Sequence, residues 1–355
     1  DFQIDKTLIE IKDNHIWYRK DLLSGKEPAD PLDKRTALRA FASGGGGAIY
    51  FDTLNAEFNR SNGGTVSTLL GPVYSDVSGF SKMLKDVYNG DFGKAGVKGM
   101  KLLEANTPID AWMIKPKDFD PALKYPVFAY VYGEPHGQTV MDSWGHASEN
   151  FHRVIADMGY LVISIDNRGT RCPKGSAWRR AIAGKLGPLS TKEQAAGIRE
   201  LARMRPYVDL SRVGTWGWSG GGSMTLNCMF RFPEIYKTGI AVSFVSNQKF
   251  YDSFYQERYM GLPQENMEDF VKGSPIHNAK NLKGNLLYIH GTGDDNVHYS
   301  NAEALVNELI KYNKQFQFMA YPNRSHSISE GEGTNLHLKT LYTKFLKQYC
   351  PPGAK

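Results

Sequence analysis

Gly217-Trp218-Ser219-Gly220-Gly221 is a Gly-x-Ser-x-Gly stretch set between two kinds of backbone. β-forming residues lead into it (Val213, Thr215, Trp216), and a helix-compatible run from Ser223 to Phe230 leads out. A strand that turns sharply into a helix at a serine leaves the serine Oγ exposed on a strained turn. The flanking glycines are required because a side chain there would strike the neighbouring strand and helix. A bare five-residue match is most simply a chance glycine-rich turn. The strand before it, the helix after it and the partners downstream favour a nucleophile at the junction.

The pattern around this turn repeats along the chain. From Gly99 onward, strand-like runs alternate with helical ones. Met100–Glu104 and Ile109–Lys115 read as paired strands, and Tyr125–Tyr132 and Tyr160–Ile165 as buried strands. Thr238–Val245, Asn285–Ile289 and Phe316–Tyr321 follow as further strands. Helical patterns cover Ala147–Met158, Thr191–Met204, Asn301–Tyr312 and His337–Tyr349. This alternation predicts a mostly parallel sheet with helices on both faces. Residues 1–98 differ. Short β-like pieces (Leu8–Ile11, Ile16–Arg19, Ala48–Leu54) and a short amphipathic helix around Ser81–Val87 are separated by polar and glycine-rich links. The run Gly44–Gly47 lacks the Lys-Ser/Thr ending of a phosphate loop and reads as a flexible link. The expected division is a β-rich segment over 1–98 and a catalytic α/β domain over 99–355. No internal repeat is present.

Bulk properties narrow the function. Of 355 residues, 41% are hydrophobic and 23% charged, ordinary values for a globular chain. The formal charge of +6 is spread without a basic run, so no nucleic-acid partner is expected. No apolar stretch approaches the ~18 residues of a membrane span. A start at Asp1 rather than Met is expected of a processed or truncated product, and no signal peptide is visible. Cys172, Cys228 and Cys350 form neither a C-x-x-C pair nor a metal spacing, and Cys228 falls on the helix after Ser219 as a small core residue. No cofactor or metal is expected.

A serine hydroxyl needs a neighbouring base to attack a carbonyl. In an α/β-hydrolase fold the acid and the histidine follow the serine, each on a loop after a strand. Here the strand ending at Ile289 is followed by His290-Gly291-Thr292-Gly293-Asp294-Asp295-Asn296-Val297-His298. The strand ending at Tyr321 is followed by Pro322-Asn323-Arg324-Ser325-His326. His326 is the expected base, oriented by one carboxylate of the Asp294/Asp295 pair. His290 reads as a strand-end packing residue, His298 lies on the wrong loop for the base, and His337 stands at or before the last helix. For the oxyanion, the backbone N–H of Gly220 is one expected donor. The second comes from the loop after the Tyr125 strand, where the Tyr132 hydroxyl can serve.

At these residues the chain resembles the prolyl oligopeptidase family of serine peptidases, and most closely its dipeptidyl peptidase IV branch. The specific pieces are Phe250–Pro263, with its Tyr-Asp-x-x-Tyr-x-Glu-Arg-Tyr-Met-Gly pattern, and His290–His298. Tyr125-Pro126 through Tyr132-Gly133 and Asp166-Asn167-Arg168-Gly169 also fit, so the resemblance covers residues 99 to about 350. It implies Ser219 as nucleophile, Asp294 as acid, His326 as base and Tyr132 as oxyanion hydroxyl. It implies Tyr251, Tyr255, Val245 and Val297 as walls of the pocket for the residue before the cleaved bond, and Asn296 as a donor to a substrate carbonyl. The implied activity is release of N-terminal dipeptides with Pro or Ala at the second position, through an acyl-enzyme. An oligopeptidase or acylaminoacyl-peptidase of the same family is the main alternative, ahead of an esterase or an inactive binding module.

Two positions depart from the branch. Gly220 stands where a tyrosine is usual and Gln248 where a tryptophan is usual, which removes aromatic wall and admits Ala or another small residue. A whole β-propeller of the family does not fit in the residues upstream, so the expectation is either a fragment, with residues 1–98 a propeller remnant and linker, or a chain that has lost the propeller; no Glu-Glu pair is found to clamp a free amino terminus. The resemblance favours a periplasmic or secreted setting and allows a homodimer; peptides are the expected partners.

Overall fold

Continuous burial of the central strands follows from helices covering both faces of one sheet. The computed structural model describes residues 109–135, 137–141 and 148–355. The expectations for residues 1–98, and for a strand at Met100–Glu104, lie outside these residues.

In chain order, the described elements begin with β1 (Asp110–Ile114), β2 (Tyr125–Tyr130), α1 (Glu149–Asp157) and β3 (Leu161–Asp166). Next come α2 (Gly175–Arg180), α3 (Pro188–Met204), β4 (Val208–Trp218), α4 (Gly220–Arg231) and β5 (Thr238–Val242). Helices α5 (Ser253–Met260) and α6 (Pro263–Gly273) follow, then β6 (Asn285–Gly291), α7 (Ser300–Lys311), β7 (Gln317–Tyr321) and α8 (Thr334–Tyr349). The seven strands lie in the order β1-β3-β2-β4-β5-β6-β7. All pairs are parallel except β1 with β3, which is antiparallel. The result is the α/β-hydrolase fold: a mostly parallel sheet covered by helices.

Alternate residues of each strand feed two separate cores. Val127 and Ala129 of β2, with Leu161 and Ile163 of β3, pack with Ile198 of α3, Met224 and Phe230 of α4 and Leu305 of α7. Phe128, Val162, Ile240 and Leu287 point the other way, onto Ile155 of α1 and Leu338, Tyr342, Phe345 and Leu346 of α8. β2, β3 and β5 are almost wholly buried, as a strand must be when helices cover both of its sides. Each large apolar side chain removed from water contributes about 1.5–3 kcal/mol, an upper figure because the unfolded chain is already partly collapsed. The four buried apolar side chains of α8 alone therefore fasten the C-terminal helix firmly to the sheet.

Local chemistry sets the element ends. Pro188 opens α3, where a missing N–H costs nothing, and Gly187 before it takes φ 98°. Asp252 caps α5 by accepting the N–H of Tyr255 at 2.8 Å. Buried Arg212 gathers the C-terminal tail, pairing with Asp209 at 2.7 Å and donating to the carbonyls of Pro351, Gly353 and Lys124. Cys172, Cys228 and Cys350 are buried free thiols. Among the described residues no helix is long and apolar enough to cross a membrane.

Candidate active site

The turn from β4 into α4 is built by close approach. A Cβ at Gly217 would lie 2.3 Å from the Gly221 carbonyl oxygen, and one at Gly221 would lie 2.3 Å from that of Val131. Ser219 between them has φ 58° and ψ −122°, a conformation that L-residues rarely adopt. Its N–H donates to the Val242 carbonyl at 2.9 Å, and its own carbonyl accepts from the Ser223 N–H at 3.1 Å. The neighbouring strand and the first turn of α4 thus hold a strained serine, which lifts its side chain off the carboxyl edge of the sheet. Gly220 is the first residue of α4, so its N–H has no partner within the helix.

Asp294 follows β6 and His326 follows β7, two adjacent strands. Nδ1 of His326 lies 2.9 Å and 3.1 Å from the two oxygens of Asp294. Oδ1 of Asp294 also accepts the N–H groups of Asn296 (3.0 Å) and Val297 (2.8 Å). Burial pushes this carboxyl up, but the hydrogen bonds from His290 and His326 outweigh burial and hold it well below the usual carboxylate range. His290 is fully buried, its Nε2 3.2 Å from Asp294 and 2.8 Å from the Val297 carbonyl. The indole N–H of Trp218 and the hydroxyl of Ser243 both donate to the His326 carbonyl, at 2.9 Å and 3.3 Å, tying the histidine loop to the turn that carries Ser219. Among the described residues no hydrogen bond joins the Ser219 hydroxyl to His326; such pairs are often loose before substrate binds. Ile328, fully buried at φ 44°, anchors the far end of the histidine loop in strained backbone.

Tyr132 projects from the loop after β2. A Cβ at Gly137 would fall 1.9 Å from its ring, so glycine is what seats the ring. Asn167 donates to the Gly133 carbonyl at 3.1 Å and accepts from Gln194 at 2.9 Å, bracing the same loop from beneath. Burial, then the charges of Glu134 and neighbouring tyrosines, push the Tyr132 hydroxyl up to about 12, and its hydrogen bond to the Ser219 side chain lowers it only in part. Tyr132 therefore stays protonated at neutral pH and acts as a donor.

A pocket opens beside Ser219. It is lined by Tyr132, Glu134, Gly220, Ser223, Val245, Gln248, Tyr251 and Tyr255. The rings of Tyr251 and Tyr255 meet edge to face at 5.2 Å. The Tyr251 hydroxyl donates to Oδ1 of Asn296 at 2.7 Å, which leaves the amide nitrogen as a donor for another group. Val297, on the Asp294 loop itself, is fully buried and is not among the residues that line this pocket.

The structure therefore brings Ser219, Gly220, Tyr132, Val245, Tyr251 and Tyr255 to one pocket. It couples Asp294 to His326, and Asn296 to Tyr251. His298 bonds Ser300 instead, and His337 bonds the Tyr321 hydroxyl. No group of three or more His, Cys, Asp or Glu among the described residues could hold a metal. Sequence reading missed the role of Glu134 as a buried wall of the pocket. Its only signal was its place two residues after Tyr132 on the same loop, because side-chain direction in a loop has no period. The aromatic wall absent at Gly220 is not left open: a Cβ there would lie 2.6 Å from Cγ of Glu134.

Residues 146–352 match the prolyl oligopeptidase family. Dipeptidyl peptidase 8 of Homo sapiens is 34% identical over 232 residues, covering 64% of this chain and 26% of that protein. Prolyl endopeptidase FAP of Mus musculus is 36% identical over 240 residues, 66% of this chain and 31% of that protein. The crystal structure of Porphyromonas gingivalis dipeptidyl peptidase 4 aligns at a TM-score of 0.65 and 38% identity, covering 68% of this chain and 33% of the other. This chain spans roughly a quarter to a third of the length of these relatives.

Proposed function

The chain belongs to the prolyl oligopeptidase family, and from that membership we propose a serine peptidase that releases N-terminal dipeptides bearing Pro or Ala at the second position. The observation that carries this reading is the pairing of Asp294 with Nδ1 of His326, on loops beside a serine held at φ 58°. An aspartate on Nδ1 sets the tautomer that leaves Nε2 free to accept a proton. His326 takes the Ser219 proton as Oγ attacks the scissile carbonyl, and returns it to the leaving amine. Tyr132 and the Gly220 N–H receive the oxyanion. Water then attacks the acyl-enzyme with His326 again as base, which frees the dipeptide.

Asn296 donates to a substrate carbonyl, and the Tyr251/Tyr255 pair walls the acyl-side residue. Flat tyrosine rings match a small ring or methyl group at low entropic cost. The dipeptidyl step is supported by what the relatives are called. An oligopeptidase or acylaminoacyl-peptidase is the second reading; the name of the FAP relative, a prolyl endopeptidase, supports cleavage within a peptide.

The test is hydrolysis of Gly-Pro-p-nitroanilide beside its N-acetylated form, with Ser219→Ala as the control. Cleavage of the free-amine compound alone supports the dipeptidyl reading. Equal cleavage, or preference for the blocked compound, moves the assignment to the second reading. Undiminished turnover by Ser219→Ala removes both.

A further inference from the structure

Glu134 is a carboxylate where the walls otherwise offer apolar or neutral surface. It is only 5% exposed, yet it lines the same pocket as Ser219. Its Cγ fills the space that any side chain at Gly220 would occupy. From there its Oε2 accepts the Tyr255 hydroxyl at 3.2 Å. Oε1 makes no hydrogen bond among the described residues. Its main-chain carbonyl accepts from the Gly137 N–H at 3.0 Å, so the loop that presents it is closed on itself. Ser223 and Gln248 extend this polar side of the pocket. Gln248 is held by Gln256 at 2.7 Å and through its own N–H by the Ser274 hydroxyl at 2.8 Å.

Oε1 of Glu134 is an unused acceptor on the wall of the pocket, where a donor on the occupant can meet it. Tyr132, Val245, Tyr251 and Tyr255 confine the space that Glu134 shares with Ser219, so the donor fitted to it is one carried on a small residue. We propose that Glu134 is a specificity residue of this pocket, and that among small acyl-side residues it selects those carrying a hydroxyl group, 4-hydroxyproline over proline and serine over alanine. This inference rests on the peptidase reading above and deepens it. The titratable groups facing Glu134 are the hydroxyls of Tyr132 and Tyr255, the first on its own loop and the second on α5. Both are pushed up by burial and remain neutral, so neither supplies the missing charge. Burial pushes Glu134 itself up to about 7. Near neutral pH it therefore passes from an acid to a carboxylate, which is the stronger acceptor.

The experiment measures kcat/KM for four substrates: Gly-Pro-, Gly-4-hydroxyprolyl-, Gly-Ala- and Gly-Ser-p-nitroanilide. Wild type, Glu134→Gln and Glu134→Ala are compared between pH 6 and 8.5. The expected result is a preference of about tenfold for each hydroxylated substrate in the wild type, the worth of one hydrogen bond to a charged group. That preference grows as pH rises through 7. In Glu134→Gln it persists in part but loses its pH dependence, and in Glu134→Ala it falls to about one. A wild-type ratio at or below one, or a ratio unchanged within twofold in Glu134→Ala, overturns the proposal. Absence of turnover on all four substrates, together with no fluorophosphonate label on Ser219, overturns the peptidase reading as well. Labelling and turnover with equal ratios overturn only the role of Glu134.

Discussion

Replacing Glu134 by Gln tests the electrostatics of the pocket without any assumption about substrate. Burial pushes this carboxyl up from 4.5 to about 7, and the Tyr255 hydroxyl offsets only part of that rise. In the unfolded chain the side chain returns to its ordinary value, so the folded protein binds the proton more tightly. The stability associated with the protonated acid is thus fully present below about pH 4.5 and is lost as pH rises through about 7. At about 1.4 kcal/mol per pKa unit, the loss reaches about 3 kcal/mol at pH 8.5. Gln keeps the shape, and its amide oxygen still accepts from Tyr255, but it cannot ionise. Urea unfolding followed by tryptophan fluorescence, at steps from pH 4.5 to 8.5, reads the difference directly. The two proteins should have nearly equal stability at the acid end, and the variant should gain about 3 kcal/mol at the alkaline end. Other titrating groups cancel in the comparison. A gap that stays constant within about 0.5 kcal/mol across the range, or that closes with rising pH, refutes the reasoning.

Three further outcomes are expected. Asp294→Asn presents an amide to Nδ1 of His326 and favours the wrong imidazole tautomer; kcat for Gly-Pro-p-nitroanilide should fall about ten-thousandfold, and because the hydrogen bonds that hold this carboxylate low stabilise the fold at neutral pH, the unfolding midpoint should fall as well. Tyr132→Phe removes one oxyanion donor and should lower kcat by about 10²–10³-fold while KM moves little, as steady-state kinetics will show. Gly221→Ala forces a Cβ to within 2.3 Å of the Val131 carbonyl oxygen, and should destabilise the fold by at least about 1–3 kcal/mol in the same urea assay.

Much of the site could be read before any coordinates. Ser219 announces itself because the sharp turn needs glycine on both sides, and that need is local. His326 and the Asp294/Asp295 pair are legible as candidates because each follows a buried apolar strand and the chain order of such loops is constrained; the resemblance singled out Asp294. The expected strands from Tyr125 to Phe316 appear in the sheet, with ends shifted by a few residues. β4 begins earlier than expected, at Val208, with a register irregularity against β2 between Pro126 and Val127. The boundaries of α5 and α6 were not legible. α5 is short and weakly amphipathic, and α6 contains non-helical backbone at Asn266.

Sequence alone thus determined the class of fold and pointed to Ser219 and His326 as the proposed nucleophile and base, because these rest on glycine stereochemistry and on apolar periodicity, which are properties of neighbouring residues; the choice of Asp294 over Asp295 came from the family resemblance. It did not determine what the pocket is made of. Glu134, Gly220 and Tyr255 lie on three segments far apart in the chain, and only packing brings the carboxylate into the space that a glycine leaves empty. That space is emptied and refilled by residues roughly 85 positions apart, with no shared period to link them. Only the tertiary structure decided that a missing aromatic wall became a buried acid, because burial and contact across the sheet edge are not local quantities.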